Sequence, residues 1–249
     1  MIGLKATVRG TAQNFEGNLI DAFDQYDVAE GLGIIMGQIP EVRHGVCKSL
    51  CMNWVAHHAN EVPGRFSDVA RSMGSGNRRN GGYYTGVGMA LDQMDYAAAL
   101  MATPNRTEYN RTKDQFTDDF LRKRGVVRQM KISNPALNLS PSRIKMGAPG
   151  RAVNIAFGRQ IAAGIVGDHT AGNWSYKIIS IHGSAGGHAI AAFVGADAVF
   201  FDPNYGIFYF EKSADFRRWF GEPGGFYWET RYHRYLGNDF FIKSYAKGI

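Results

Sequence analysis

Cysteine is scarce. Among 249 residues there are two, Cys47 and Cys51, so no disulfide framework can carry the fold. On a helix, a spacing of four puts two Cβ atoms about 5 to 6 Å apart, beyond the roughly 3.5 to 4.5 Å that a disulfide bridges. Both are expected as free thiols, which suits a reducing compartment. No apolar run reaches the roughly 18 residues of a membrane helix, so no transmembrane segment is expected. The first residues, MIGLKATVRG, lack the basic segment followed by an apolar stretch that a Sec signal peptide needs. Export, where it occurs, must use another route.

Metal and cofactor signatures are missing as well. His57 and His58 are adjacent, so on a helix they point about 100° apart. No second CxxC or HxxxH pair supplies the usual zinc spacing. Gly86-x-Gly88 lacks the third glycine of a dinucleotide loop, and no clear strand precedes it. No cofactor and no metal is expected.

What the chain does have is a core. Hydrophobic residues make up 45% and aromatic residues 13%, enough for a globular protein and too much for a disordered one. Lys and Arg number 28 against 22 Asp and Glu, a net charge of +6, which favours acidic partners without specifying them. Residues 121–145 hold seven Lys or Arg and no acid. They lack the interleaved aromatics of a base-stacking platform, so nucleic acid is not expected; a solvated face compatible with a membrane-proximal or acidic protein partner is.

The chain reads as helices first and strands second. Val46, Leu50 and Trp54 recur at spacing four, predicting a helix over 46–59. Residues 74–88 are glycine-rich and basic, a surface loop, and helices are expected over 89–101 and 112–124. After about residue 175, YKIISIHG, GGHAIAAFVG, AVFFD and GIFYF are short apolar runs between turn residues, the pattern of antiparallel hairpins. SADFRRWFGE predicts a helix capped by Ser213, and FYWETRYHRYL and DFFIKSY two closing strands. The fold class is therefore α+β. Residues 45–249 are expected as one domain, preceded by an N-terminal segment, 1–44, whose ordering the sequence leaves open.

Three residue types stand out by placement. Cys47 falls in the first turn of a helix, where unpaired N–H groups and the positive end of the dipole favour a thiolate. His188 opens the strand AIAAFV, and Asp202 closes AVFFD, 14 residues on, a separation that suits neighbouring strands of a hairpin. A nucleophile, a base that takes its proton and a carboxylate that orients the base is the logic of covalent catalysis. Asn204 could share or replace the role of Asp202. Gln38 is a candidate amide for an oxyanion hole beside the Cys47 N–H.

Gly45-Val46-Cys47-Lys48-Ser49-Leu50 with Trp54, then Gly187-His188-Ala189-Ile190, then Phe201-Asp202-Pro203-Asn204 with Gly206 and Phe208, resembles the YopT/AvrPphB-type cysteine proteases injected by type III secretion systems. The resemblance implies a papain-like fold with the nucleophile at a helix start, packed on a C-terminal antiparallel sheet. It implies Cys47, His188 and Asp202 as a triad, a host protein as substrate, a role in virulence, and delivery into the host cell cytosol. Residues 1–44 would then be secretion-related. The same triad could instead serve glutamine deamidation or transglutamination, and a basic, non-catalytic binding protein is the alternative from another class.

Overall fold

The computed structural model describes residues 2–26, 46–71, 85–129, 151–167, 174–183, 186–230, 232–236 and 239–248. Helix α1 (Ile2–Asn14) and strand β1 (Gly17–Asp21) lead into α2 (Cys47–Ala59), α3 (Phe66–Arg71), α4 (Gly86–Met101), α5 (Arg106–Arg122), β2 (Val126–Arg128) and α6 (Arg151–Val166). Strands β3 (Ser175–Gly183), β4 (Gly186–Val194), β5 (Ala198–Asp202) and β6 (Gly206–Phe210) follow. The chain then runs through α7 (Ser213–Gly221), α8 (Phe226–Glu229), α9 (Tyr232–Tyr235) and β7 (Asp239–Lys247).

The strands form a seven-stranded sheet in the order β1-β6-β5-β4-β3-β7-β2, with each pair of neighbours antiparallel. The hairpins expected after residue 175 are present. Their burial is nearly continuous rather than alternating, and β5 is buried at all five positions, because helices cover both faces. On one face α2 to α5 pack against Tyr176, Ile178, Ala189, Ala191 and Phe201. On the other, α1 and α6 to α9 pack against Ile179, Ile181, Ile190 and Phe200.

Helix α2 is a core helix. Eleven of its thirteen residues are buried, and Trp54 stacks on Phe201 with ring centroids 5.7 Å apart. A helix buried on nearly all sides can only lie between other layers, and this one packs on β4 and β5 of the sheet. That fixes where residue 47 sits.

Three expectations need correction. A boundary at residue 44 does not separate the beginning of the chain from the domain: β1 pairs with β6 along the sheet edge, and Val8 and Ala12 of α1 are fully buried in the second core. Strands of five and three residues, β1 and β2, are too short to show a periodic pattern. FYWETRYHRYL is not a strand but the two short helices α8 and α9. Its aromatics raise strand propensity, yet Phe226, Tyr227 and Tyr232 are buried against β-sheet residues, and such packing overrides propensity. Finally, Ser213 is the first residue of α7 rather than its cap; Lys212 occupies the cap position, with no side-chain hydrogen bond.

The helices of the middle region run longer than expected, α4 starting at Gly86 and α5 at Arg106 behind caps from Thr85 and Asn105. Most of the glycine-rich loop, His44, Gly45 and Gln38 lie outside the described residues.

Candidate active site

Cys47 is the first residue of α2. At that position its N–H has no acceptor within the helix. The cap residue Val46 offers no side-chain bond, and the turn is instead held from outside. The Ser49 N–H donates to Gln93 Oε1 at 3.1 Å, and Ser49 Oγ donates to the Met89 carbonyl at 2.5 Å. Both partners belong to α4, so the helix carrying the thiol is fixed by its neighbour. Cys47 is partly exposed and Cys51, one turn deeper, is buried; both are free thiols.

His188 and Asp202 stand on the adjacent strands β4 and β5. Their contact is direct: His188 Nε2 lies 3.2 Å from Asp202 Oδ1 and 3.3 Å from Oδ2, with the imidazole 8% exposed and the carboxylate not at all. Nε2 being taken by the carboxylate, Nδ1 is the nitrogen left to face Cys47, which is close enough for the imidazole to act on its thiol. The three residues singled out by sequence are thus brought together in the order thiol, imidazole, carboxylate.

The electrostatics follow from that order. Burial works to push the Cys47 thiol up, but the hydrogen bond and charge of His188, with the Ala189 N–H, bring it below the usual thiol range. For His188, burial works to pull the imidazole down; the charge and hydrogen bond of Asp202, then those of Cys47, outweigh it and raise it to about 10. A lowered thiol beside a raised imidazole is the condition for a thiolate–imidazolium pair over the intervening pH range. Cys51 behaves oppositely. Burial, then the Cys47 charge, push it well above the usual range, so it stays a neutral packing residue.

Sequence reasoning missed the support behind the carboxylate. Tyr232 of α9 donates from its Oη to Asp202 Oδ2 at 3.1 Å and accepts from Asn204 Nδ2 at 2.9 Å. Its ring packs on the imidazole of His188, centroids 5.2 Å apart. Burial, then the neighbouring Asp202, hold the phenol protonated, which keeps it a donor. Asn204 does not touch His188 in place of Asp202. Its N–H caps Asp202 Oδ1 at 2.7 Å, the local turn bond typical of aspartate.

Gln25 ties this turn to the helix. Its Nε2 donates to Asn204 Oδ1 at 2.5 Å, and its Oε1 accepts the N–H of Val46, the residue before the thiol, at 3.2 Å. Its backbone N–H donates to the Pro203 carbonyl. A carboxamide is one of the few side chains that can donate and accept at once, and here it joins the two halves of the site. Gly206 closes the turn with φ of +121°, where an added Cβ would meet the Asp21 carbonyl at 2.3 Å. Only glycine lets β1 come this near.

Helices on both faces of an antiparallel sheet, a thiol at a helix start and an imidazole–carboxylate pair on two neighbouring strands define the papain-like class of cysteine peptidase folds. A family model described as Yersinia/Haemophilus virulence surface antigen, peptidase C58, matches residues 9–244, and the chain belongs to this family of cysteine peptidases. The chain is 26% identical over 235 residues to the cysteine protease YopT of Yersinia pestis, with 92% of this chain and 64% of that protein covered. It is 24% identical over 221 residues to the protein adenylyltransferase and cysteine protease IbpA of Histophilus somni, covering 85% of this chain and 5% of that protein. The chain thus spans somewhat under two thirds of the length of the YopT relatives it matches. Among solved structures, the Pseudomonas avirulence protein AvrPphB superposes with a TM-score of 0.56 at 14% identity, over 83% of this chain and 94% of that one. At that identity the likeness establishes the fold.

Proposed function

We propose that this protein is a cysteine protease that cleaves a protein of a host cell, with Cys47 as nucleophile, His188 as base and then acid, and Asp202 as the group that orients the imidazole. One observation carries the proposal: His188 reaches Asp202 through Nε2 at 3.2 Å and stands close enough to the thiol that starts α2 to lower it. In the first step the thiolate attacks a peptide carbonyl, and the negative oxygen forms beside the Cys47 N–H, which has no acceptor within its own helix. The imidazolium then gives its proton to the departing amine, leaving a thioester. Water, deprotonated by the same imidazole, hydrolyses that thioester and restores the thiol. The family's virulence description and the names of YopT and AvrPphB support a host protein as substrate and entry into the host cytosol as the place of action. Of the described residues, no helix is long and apolar enough to cross a membrane.

The chemistry is tested by intact-mass and peptide mass spectrometry of host-cell protein treated with the enzyme. New chain termini that disappear with the Cys47→Ala variant are expected. A gain of about one dalton at glutamine without new termini would assign the triad to deamidation, and cross-linked adducts to transglutamination, each overturning the protease reading.

Tyr232→Phe should loosen the carboxylate without dismantling the pair. Asp202 loses a donor to its Oδ2, so more of its charge falls on the imidazolium and the His188 value rises. The alkaline limb of Cys47 alkylation is expected to move to higher pH, with turnover down about tenfold as the imidazole is held in place less firmly, the scale of one hydrogen bond to a charged group. An unmoved alkaline limb would leave Tyr232 a packing residue.

A further inference from the structure

Three lysines approach one another beside the site, and the chemistry above uses none of them. Lys48 follows the thiol in α2, Lys113 lies on α5 and Lys243 on β7. Lys48 is 6% exposed and, among the described residues, its ammonium has no ion-pair partner within 4 Å. Lys113 donates to His182 Nε2 at 3.2 Å and stands 5.5 Å from the centre of the Phe241 ring. Lys243 is paired with Asp114. Register places Phe241, Lys243 and His182 on one face of the sheet, the face that α2 and α5 cover: Ser180 pairs Phe241, Ile178 pairs Lys243 and His182 pairs Asp239. His182 also pairs Gly187, the residue before His188, so this cluster lies at the same end of the sheet as the site. Lys113 is near enough to feel the charge of Cys47.

A cleft of about 570 Å³ opens here, with Lys113, His182, Phe241, Tyr109 and Asp239 in its wall. Burying like charges together without equal counter-charge is costly. The cost is visible in Lys48, which burial and then the neighbouring Lys243 and Lys113 push down to about 7. Asp114 is already taken by Lys243, and the Oδ1 of Asp239 is buried with no hydrogen-bond partner among the described residues. With Lys48 protonated, three ammoniums face two carboxylates and one positive charge is left over, which suits a monoanion better than a phosphate dianion. The unpartnered Asp239 oxygen suits an N–H of the same ligand.

We propose that this cleft is a substrate subsite for a carboxylate, the side chain of a glutamate or aspartate near the scissile bond, held by Lys113 with the charges of Lys48 and Lys243 behind it. The proposal rests on Cys47 being a protease nucleophile. An arriving carboxylate supplies the missing counter-charge, restores the proton to Lys48 and stands next to the reacting carbonyl. Selection therefore acts within the bond-breaking complex rather than at a distant docking site.

The test uses tripeptidyl fluoromethyl ketones that differ only in Glu against Gln at each position in turn, with the rate of Cys47 labelling read by intact mass. One position is expected to favour Glu about tenfold, the scale of a charge-assisted hydrogen bond. The Glu-to-Gln ratio should fall toward one in Lys113→Met and in Lys48→Met. It should rise several-fold in Asp239→Asn, which removes the competing negative charge and so tests the site by a gain. Equal rates for Glu and Gln at every position in the wild type overturn the subsite. So do a ratio untouched by these substitutions, or a phosphoseryl probe that outpaces the glutamyl one. Absence of Cys47 labelling by any probe overturns the protease reading instead.

Discussion

Cys47→Ala is expected to abolish peptide-bond cleavage, a fall of about 10⁴-fold or more, because no other group can form the covalent intermediate. The same variant should keep its fold. Cys47 is partly exposed at the edge of the first core, and removing one sulfur atom there costs about 1 kcal/mol or less, within the range of ordinary substitutions. Urea unfolding of the variant therefore separates lost chemistry from lost structure. Cleavage that persists in a folded Cys47→Ala protein would place the nucleophile elsewhere. Cys51, the other cysteine, is a poor substitute, since it is fully buried and its thiol is held neutral.

His188→Ala should be nearly as damaging, through a sign reversal at the thiol. With His188 present, its hydrogen bond and charge outweigh burial and lower Cys47. Without it, the terms left are burial and the Asp202 charge, which raise the thiol, against the single Ala189 N–H. The thiol moves above its usual value. At pH 7 even an ordinary cysteine is only a few per cent thiolate, so alkylation there should fall about 100-fold. Turnover should fall further, by about 10³-fold or more, because the proton donor to the leaving amine is lost as well. In the wild type, alkylation rate plotted against pH should show a plateau. It begins at the lowered Cys47 value and ends near the raised His188 value, about 10. In His188→Ala that plateau should vanish, leaving one rise at alkaline pH. A wild-type thiol that reacts only above pH 8, with no acid-side plateau, would remove the ion pair from the mechanism.

Sequence reasoning found the thiol, the imidazole and the carboxylate because each obeys a local rule. Cys47 is legible from the helix that Val46, Leu50 and Trp54 announce; His188 and Asp202 lie at the two ends of one hairpin, 14 residues apart. The supporting groups obey no local rule. Gln25 meets Asn204 across 179 residues, and Tyr232 lies in a segment whose aromatics read as a strand until the burial of Phe226 and Tyr227 is known. The lysine cluster draws on α2, α5 and β7, so nothing short of the sheet order reveals it. The N-terminal contribution was illegible for a similar reason. Five residues of β1 carry no periodicity, and their place is set by β6, far along the chain, where Gly17 pairs Phe210.

The link from Gln25 to the Asn204 turn, together with the phenol at residue 232, has a consequence for timing. Contacts of such long sequence separation form late, since the chain between them must be ordered or looped first. A ribosome adding about 5 to 20 residues per second releases the thiol early, but residue 232 emerges roughly ten seconds or more after it. Until then the carboxylate has no phenol behind it, and the last sheet strand, β7, is not in place to complete the wall of the cleft. The nascent protein is thus unarmed through most of its synthesis, and its hydrolytic power arrives as a final step of folding. Any passage that keeps the chain unfolded would extend that silence.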